Sequence, residues 1–266
     1  MPAIQLSRLR IQAAQLADLI SQPTVFVRSL HIILDYYSDR THRPGQSGKP
    51  PPLLPAYNVP PPVLRQILLE LGPRLSGDQD TGLVLCDLLW EQKQYECRLL
   101  AARILGLLPV ELIEPIQLRL SAWSKEGEER IITALLAEGL SRWRKEAPAD
   151  FLSFLEKCLK SSSFHDQALG LRAVQPLIKD SSFDNLPVLF RLLNPLARVA
   201  PAPLRPDLLL VMELLAKRSP TECAYFLRQN MASQDTAWIT RQIFSVFPVE
   251  LQKGLREAMK DPLQQI

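Results

Sequence analysis

Prolines punctuate this chain at the edges of helix-like stretches, and their placement limits what it can fold into more than any other feature. The 266 residues include 23 prolines. A proline fits the first turn of a helix, where its missing N–H is not needed, but breaks a helix interior. Pro60, Pro61 and Pro62 lead into VLRQILLEL, Pro109 into VELIEPIQLRL, Pro148 into ADFLSFLEKCL and Pro248 into VELQKGLREAM. Ser219-Pro220-Thr221-Glu222 reads as a capping box with a first-turn proline. Between these marks apolar residues recur three and four positions apart, as in Leu64, Ile67, Leu68 and Leu71, and strand-like alternation is hardly seen. The pattern predicts an all-α chain with helices near 3–20, 24–39, 61–74, 79–92, 95–107, 110–121, 126–145, 148–160, 164–179, 184–199, 206–217, 220–230, 235–246 and 249–260.

Helices this short, joined by a few residues, pack as antiparallel hairpins. A hairpin that cannot cover its own apolar face must stack on the next one, so the expected fold is a right-handed α-solenoid of HEAT-like helical repeats. Strict sequence repetition is absent, which leaves an irregular helical bundle as the other arrangement. The expected organisation is an N-terminal helix pair at 1–40, a Pro/Gly-rich loop at 41–60, and one continuous array from 61 to 266. A second proline cluster, APAPLRP at 200–206, is expected to bend the array.

Several function classes are excluded or weakened by content. A formal charge of +3 lacks the strong excess of a dedicated polyanion binder, so only a local stripe of cations could serve that purpose. Cys86, Cys97, Cys158 and Cys223 are far apart, without a CxxC pair, and read as buried small hydrophobes in a reducing compartment. The N-terminus MPAIQLSRLRIQAAQLADLI carries Arg8, Arg10, Gln12, Gln15 and Asp18, so it reads as an amphipathic helix and not as a signal peptide. No membrane span is expected, and the expected location is the cytoplasm. His31, His42 and His165 are scattered; the pair His165-Asp166 has no nucleophile at a useful spacing, and Ser161-Ser162-Ser163 reads as a helix cap. Phosphate loops and metal-spaced side chains are missing, so neither a metal nor a cofactor is expected.

From Tyr57 to Leu105 the sequence contains YNVPPPVLRQILLEL and then CDLLWEQKQYECRLLAARIL. These segments resemble the bacterial DNA alkylation repair family, the AlkD-like HEAT-like glycosylases. The likeness continues more weakly through SAWSKEGEERIITALLAEGL, FLEKCLKSSSFHDQALGLRAV and LLLVMELLAKRSPTECAYFLRQNM, and covers about two-thirds of the chain in the family's order. The resemblance implies a C-shaped solenoid with a basic concave face for DNA, and in active members excision of cationic alkylpurines. That reaction builds positive charge on the sugar, so a carboxylate must stand close to it, while tryptophan faces can contact the cationic base. The family's active-site tryptophan matches Trp123, but its catalytic aspartate, four residues later, falls on Gly127. Glu126 and Glu128 flank that position; on a helix they would point about 100° to either side, and Glu126 is the one candidate for a displaced carboxylate. A second active-site tryptophan falls near Leu210 and a DNA-contacting arginine near Ala168, neither retained.

Basic residues gather at predicted helix C-termini: Arg142, Arg144 and Lys145, then Lys157 and Lys160, then Lys217 and Arg218. The helix dipole favours cations there whatever the function. Arg98, Arg103, Arg119, Arg130 and Arg172 stand mid-helix, and with Lys125 supply the groove-lining candidates. The set Arg98, Arg103, Lys125, Arg130 and Arg172 is the expected DNA contact surface, with sequence-independent binding to phosphates. The other expectation is a scaffold holding a protein or peptide partner, a use that helical repeats and a modest charge also suit.

Overall fold

The structure, a computed structural model, describes residues 5–39, 51–75 and 79–260, and every regular element among them is helical. His42 and positions 41–50 of the proline-rich segment lie outside the described residues. The chain divides into two compact units, Met1–Pro148 and Ala149–Ile266. None of the described helices is long and apolar enough to cross a membrane.

The first unit holds α1 (Leu6–Ala17), α2 (Pro23–Tyr36), α3 (Pro61–Leu75), α4 (Gln79–Glu91), α5 (Tyr95–Leu105), α6 (Ile113–Glu126), α7 (Glu129–Ala134) and α8 (Ser141–Glu146). Alternate helices lie side by side. One layer runs α1, α3, α5 and α7. The other runs α2, α4 and α6, its last two helices tied by the Arg119–Asp87 ion pair. Between the layers Leu9, Leu30, Leu34, Ile67, Leu71, Leu85, Leu89 and Leu100 are fully buried. Ile67 and Leu71 are among the apolar positions that the three-and-four spacing picked out.

The predicted helix 126–145 is not continuous. α6 runs on to Glu126, Gly127 ends it in an extended conformation, α7 begins at Glu129, and Leu135–Gly139 forms a π-helical turn before α8. Two glycines explain how this turn meets α5. A Cβ on Gly139 would lie 2.5 Å from the Ala102 carbonyl oxygen, and one on Gly106 only 2.0 Å from that of Glu138. The two segments therefore touch backbone to backbone, which only glycine permits. Arg144 takes up the carbonyls of Leu136 (2.7 Å) and Ala137 within the turn.

The second unit holds α9 (Pro148–Leu159), α10 (Phe164–Lys179), α11 (Leu186–Val199), α12 (Arg205–Arg218), α13 (Pro220–Gln229), α14 (Gln234–Ile243) and α15 (Val249–Lys260). α10, α12 and α14 lie in one row, and α13 packs on α15. The serine-rich turn caps as expected: Ser163 Oγ accepts from the Asp166 N–H at 3.4 Å. The capping box at α13 forms only in part, because Ser219 Oγ donates to the Glu222 carboxylate and makes no bond to the helix backbone. The APAPLRP cluster separates α11 from α12, where Ala200 adopts a left-handed φ of 33° and a 3-10 turn follows at Ala202–Leu204. Three prolines stand inside helices rather than at their starts, Pro73 in α3, Pro176 in α10 and Pro195 in α11.

Candidate functional site

The segments that carry the sequence signals meet in the first unit where α4 and α6 end. Trp90 closes α4 and Trp123 closes the last turn but one of α6, and their rings stack 4.3 Å apart at an interplanar angle of 4°. Parallel rings at this distance bury a large apolar area and exclude a ligand from between them. On the Trp90 ring lies the Arg98 guanidinium, 4.5 Å from the centroid. Its Nε donates to the Trp90 carbonyl (3.1 Å) and its Nη1 to the Glu126 carbonyl (3.3 Å), so one side chain closes the ends of both helices. The Glu126 carboxylate adds an ion pair at 3.9 Å from an exposed position, whereas the Arg98 side chain is only 7% exposed. The indole Nε1 of Trp90 is buried without a hydrogen-bond partner among the described residues.

Gly127 sits beside this stack. Its N–H bonds the Trp123 carbonyl at 2.8 Å. A Cβ there would stand 3.0 Å from that same carbonyl oxygen, 3.2 Å from Ile132 Cγ1 and 3.3 Å from Trp90 Cη2. Any side chain at this position starts in tight contact on three sides. Glu126 and Glu128 are not on one helix, as the sequence reading had them: Glu126 is the last residue of α6 and Glu128 the N-cap of α7.

The nearby carboxylates are committed to backbone donors. Glu128 accepts from the Leu53 N–H at 2.7 Å. Glu96, only 2% exposed, accepts from the N–H groups of Tyr57 (3.1 Å) and Val59 (3.4 Å) and from the Gln94 side-chain amide. The Pro55 carbonyl in turn accepts the Tyr95 N–H at 2.9 Å. Residues 53–59 are thus strapped to the start of α5 and the start of α7. Tyr95 bonds Arg130, and its phenol is pushed up by burial more than that guanidinium lowers it.

The sequence candidates are therefore spread unevenly. Trp123, Glu126 and Arg98 come together, and Arg130 is bound in through Tyr95; Lys125, exposed, ends the same helix as Trp123. Arg103 stands apart, 2.8 Å from Glu138 of the π turn. Arg172 belongs to the second unit and pairs with Asp207 at 2.8 Å; Ala168 and Leu210 are in that unit too. The sequence reading missed Trp90 and Glu96, and it named Glu128 only as a neighbour of Gly127, with no role. Trp90 carried a signal, a tryptophan ending α4 as Trp123 ends α6, whereas the two glutamates look like any first-turn acid. Among the described residues no three His, Cys, Asp or Glu side chains converge as metal ligands. The chain matches no protein-family model, no curated protein and no solved structure.

Proposed function

We propose that the chain is an AlkD-like protein, a right-handed solenoid of HEAT-like repeats, that binds duplex DNA without excising bases. The surroundings of Gly127 carry this reading. The position that the resemblance assigns to the catalytic aspartate has no side chain and is walled by Trp90, Trp123 and Ile132. The tryptophan matched to the lesion-contacting one is stacked on Trp90, and the Arg98 guanidinium already lies over the Trp90 ring. The carboxylates within reach are engaged, Glu126 by Arg98 and Glu128 by Leu53. What supports DNA as the ligand is the ordered resemblance, together with exposed Lys125 beside this site. A cytoplasmic location is part of the same proposal.

Gel-shift titration at low salt with duplex, nicked and branched DNA tests it. Binding is expected to weaken as salt rises, with a log–log slope of about 0.9 per phosphate neutralised on duplex DNA, and Lys125→Glu is expected to weaken it further. No methylated purine is expected to leave alkylated DNA. Absence of binding to all three DNAs refutes the proposal. Release of base that is lost in Glu126→Gln refutes its non-catalytic part.

A second reading, a scaffold for a protein or peptide partner, is favoured by one observation. Arg98, Arg103 and Arg172, three of the five expected phosphate contacts, are each paired with a carboxylate and largely sheltered. Capture of one stoichiometric protein partner, insensitive to nuclease, would support it over the first.

A further inference from the structure

The first unit contains a cleft of about 620 Å³ that shares no residue with the tryptophan cluster. Its volume falls in the range of small-molecule sites, which are typically apolar with a few convergent polar groups. Leu6, Pro62 and Leu69 form apolar walls, and the two leucines remain 66% and 61% exposed, an apolar surface that none of the described residues covers. The polar lining comes from Gln66, whose amide N–H is given to Glu70, and from three charged side chains, Arg65 of α3, Arg103 of α5 and Glu138 of the π turn.

These charges do not cancel. Arg103 Nε lies 2.8 Å from Glu138 Oε2, close enough for an ion pair, yet the buried Nε–H is not aligned as a hydrogen bond to it. Arg65 is exposed on α3 and has no carboxylate partner among the described residues. The lining therefore keeps one net positive charge, carried by a guanidinium with its donors free. Glu138 also stands on a π turn, an element that recurs at functional sites because it displaces a side chain from the regular helical register.

We propose that this cleft binds a small monoanion with an apolar body, a carboxylate on an alkyl or arylalkyl chain. The head group takes the paired N–H donors of Arg65, a geometry that guanidinium offers and ammonium does not. The chain lies along Leu6, Pro62 and Leu69. The Arg103–Glu138 pair closes the floor and rejects a dianion, because a second negative charge would face Glu138.

Isothermal titration of the full chain with octanoate, 1-octanol and octylammonium tests the assignment. Octanoate is expected to bind saturably at one site per chain, with the other two at least roughly ten-fold weaker, the factor a single charge-assisted hydrogen bond supplies. Arg65→Ala, at an exposed position, is expected to keep the wild-type circular dichroism and lose about ten-fold in octanoate affinity. Leu69→Asp, also exposed, should abolish binding by placing a carboxylate on the apolar wall. The proposal is overturned if octanoate does not saturate, if octanol or octylammonium binds equally well, or if Arg65→Ala binds as the wild type does. Displacement of octanoate by a short DNA duplex would assign Arg65 to a polyanion surface and overturn it as well.

Discussion

Replacing Gly106 by alanine tests the backbone contact on which the first unit's packing turns. The glycine has ordinary helical dihedrals, with φ −74°, so the substitution introduces no torsional strain. Alanine in such a position usually stabilises by about 0.4–1 kcal/mol through the unfolded chain. Against this, the new methyl would lie 2.0 Å from the Glu138 carbonyl oxygen and 3.0 Å from Ser141 Oγ. Carbon needs roughly 3.5 Å from its neighbours, so α5 and the π turn must part by more than an ångström. Overpacking of a rigid interior costs about 1–3 kcal/mol, and the obstacle here is backbone, so the upper end applies. The net expectation is a loss of about 2 kcal/mol or more. Gly254→Ala is the control, since the nearest atom to its Cβ is Arg228 Nη1 at 3.8 Å and a small gain is expected. Urea unfolding followed by tryptophan fluorescence reads Gly106→Ala, because Trp90, Trp123 and Trp143 all lie in the first unit. A wild-type midpoint for Gly106→Ala would show that the two segments do not touch as described.

Arg98→Ala removes one cation–π contact and two carbonyl bonds from a buried site and is expected to cost about 3 kcal/mol in urea unfolding. Arg98→Lys should recover less than half of that; full recovery would mean that the two-carbonyl bridge contributes little. Glu96→Gln keeps the shape but trades a charged acceptor of three donors for a neutral one, so a loss of about 2 kcal/mol is expected, with earlier proteolytic cleavage within 53–59. Equal cleavage rates would refute the strap. Burial pushes the thiols of Cys97, Cys158 and Cys223 from the ordinary 9.0 up to about 12, and that of Cys86 higher. The unfolded thiols ionise first, so the folded state holds more protons between pH 9 and 12, and stability falls as pH rises through that window and is flat below it. Disulfide-reagent labelling at pH 8 should therefore be negligible in the folded chain and complete in urea; fast labelling without urea would contradict the burial.

The all-helical class was legible because apolar spacing is a property of each segment alone. Of Leu64, Ile67, Leu68 and Leu71, the apolar positions that periodicity marked on α3, all but the half-buried Leu68 are buried. Helix starts were legible where proline marked them at Pro61, Pro148 and Pro220, whereas after Pro109 a 3-10 turn, Val110–Leu112, precedes α6. The break after Glu126 was not, because SKEGEERIITALL has good helix formers on both sides of a single glycine. Gly127 ends α6 through its neighbours, with Trp90 and Ile132 closing on it from other helices. The π turn was hidden for the same reason, since its cause is the approach of Ala102 and Gly106 from α5. Within the candidate site, Trp123 and Arg98 were marked by the resemblance and by charge. The engagement of Trp123 with Trp90 depends on pairing between α4 and α6, and that of Arg98 on the packing of α5 against α4, neither of which a local pattern encodes.

The arginines show why charge counting overestimates a polyanion surface in a chain of this kind. Every helix leaves its last carbonyls without intrahelical donors, and a chain of many short helices multiplies those ends. Guanidinium is suited to them because its donors fan out in a fixed plane and reach several acceptors at once. Arg218 bonds the carbonyls of Leu177 (3.2 Å), Ile178 (2.7 Å), Asp180 and Phe183 around the end of α10. Arg142 reaches the Leu107 carbonyl at 3.0 Å beyond α5, and Arg205 the Ala200 carbonyl at 3.1 Å beyond α11. Arg98 does the same for α4 and α6. Each such residue looks in the sequence like a phosphate contact, at a helix end or mid-helix, while in the fold its donors are spent on backbone. The cations left for a ligand are those without such an acceptor, Lys125 and Arg65 among them, and the two binding proposals separate on these residues. Lys125→Glu should impair DNA binding and leave octanoate untouched, and Arg65→Ala the reverse.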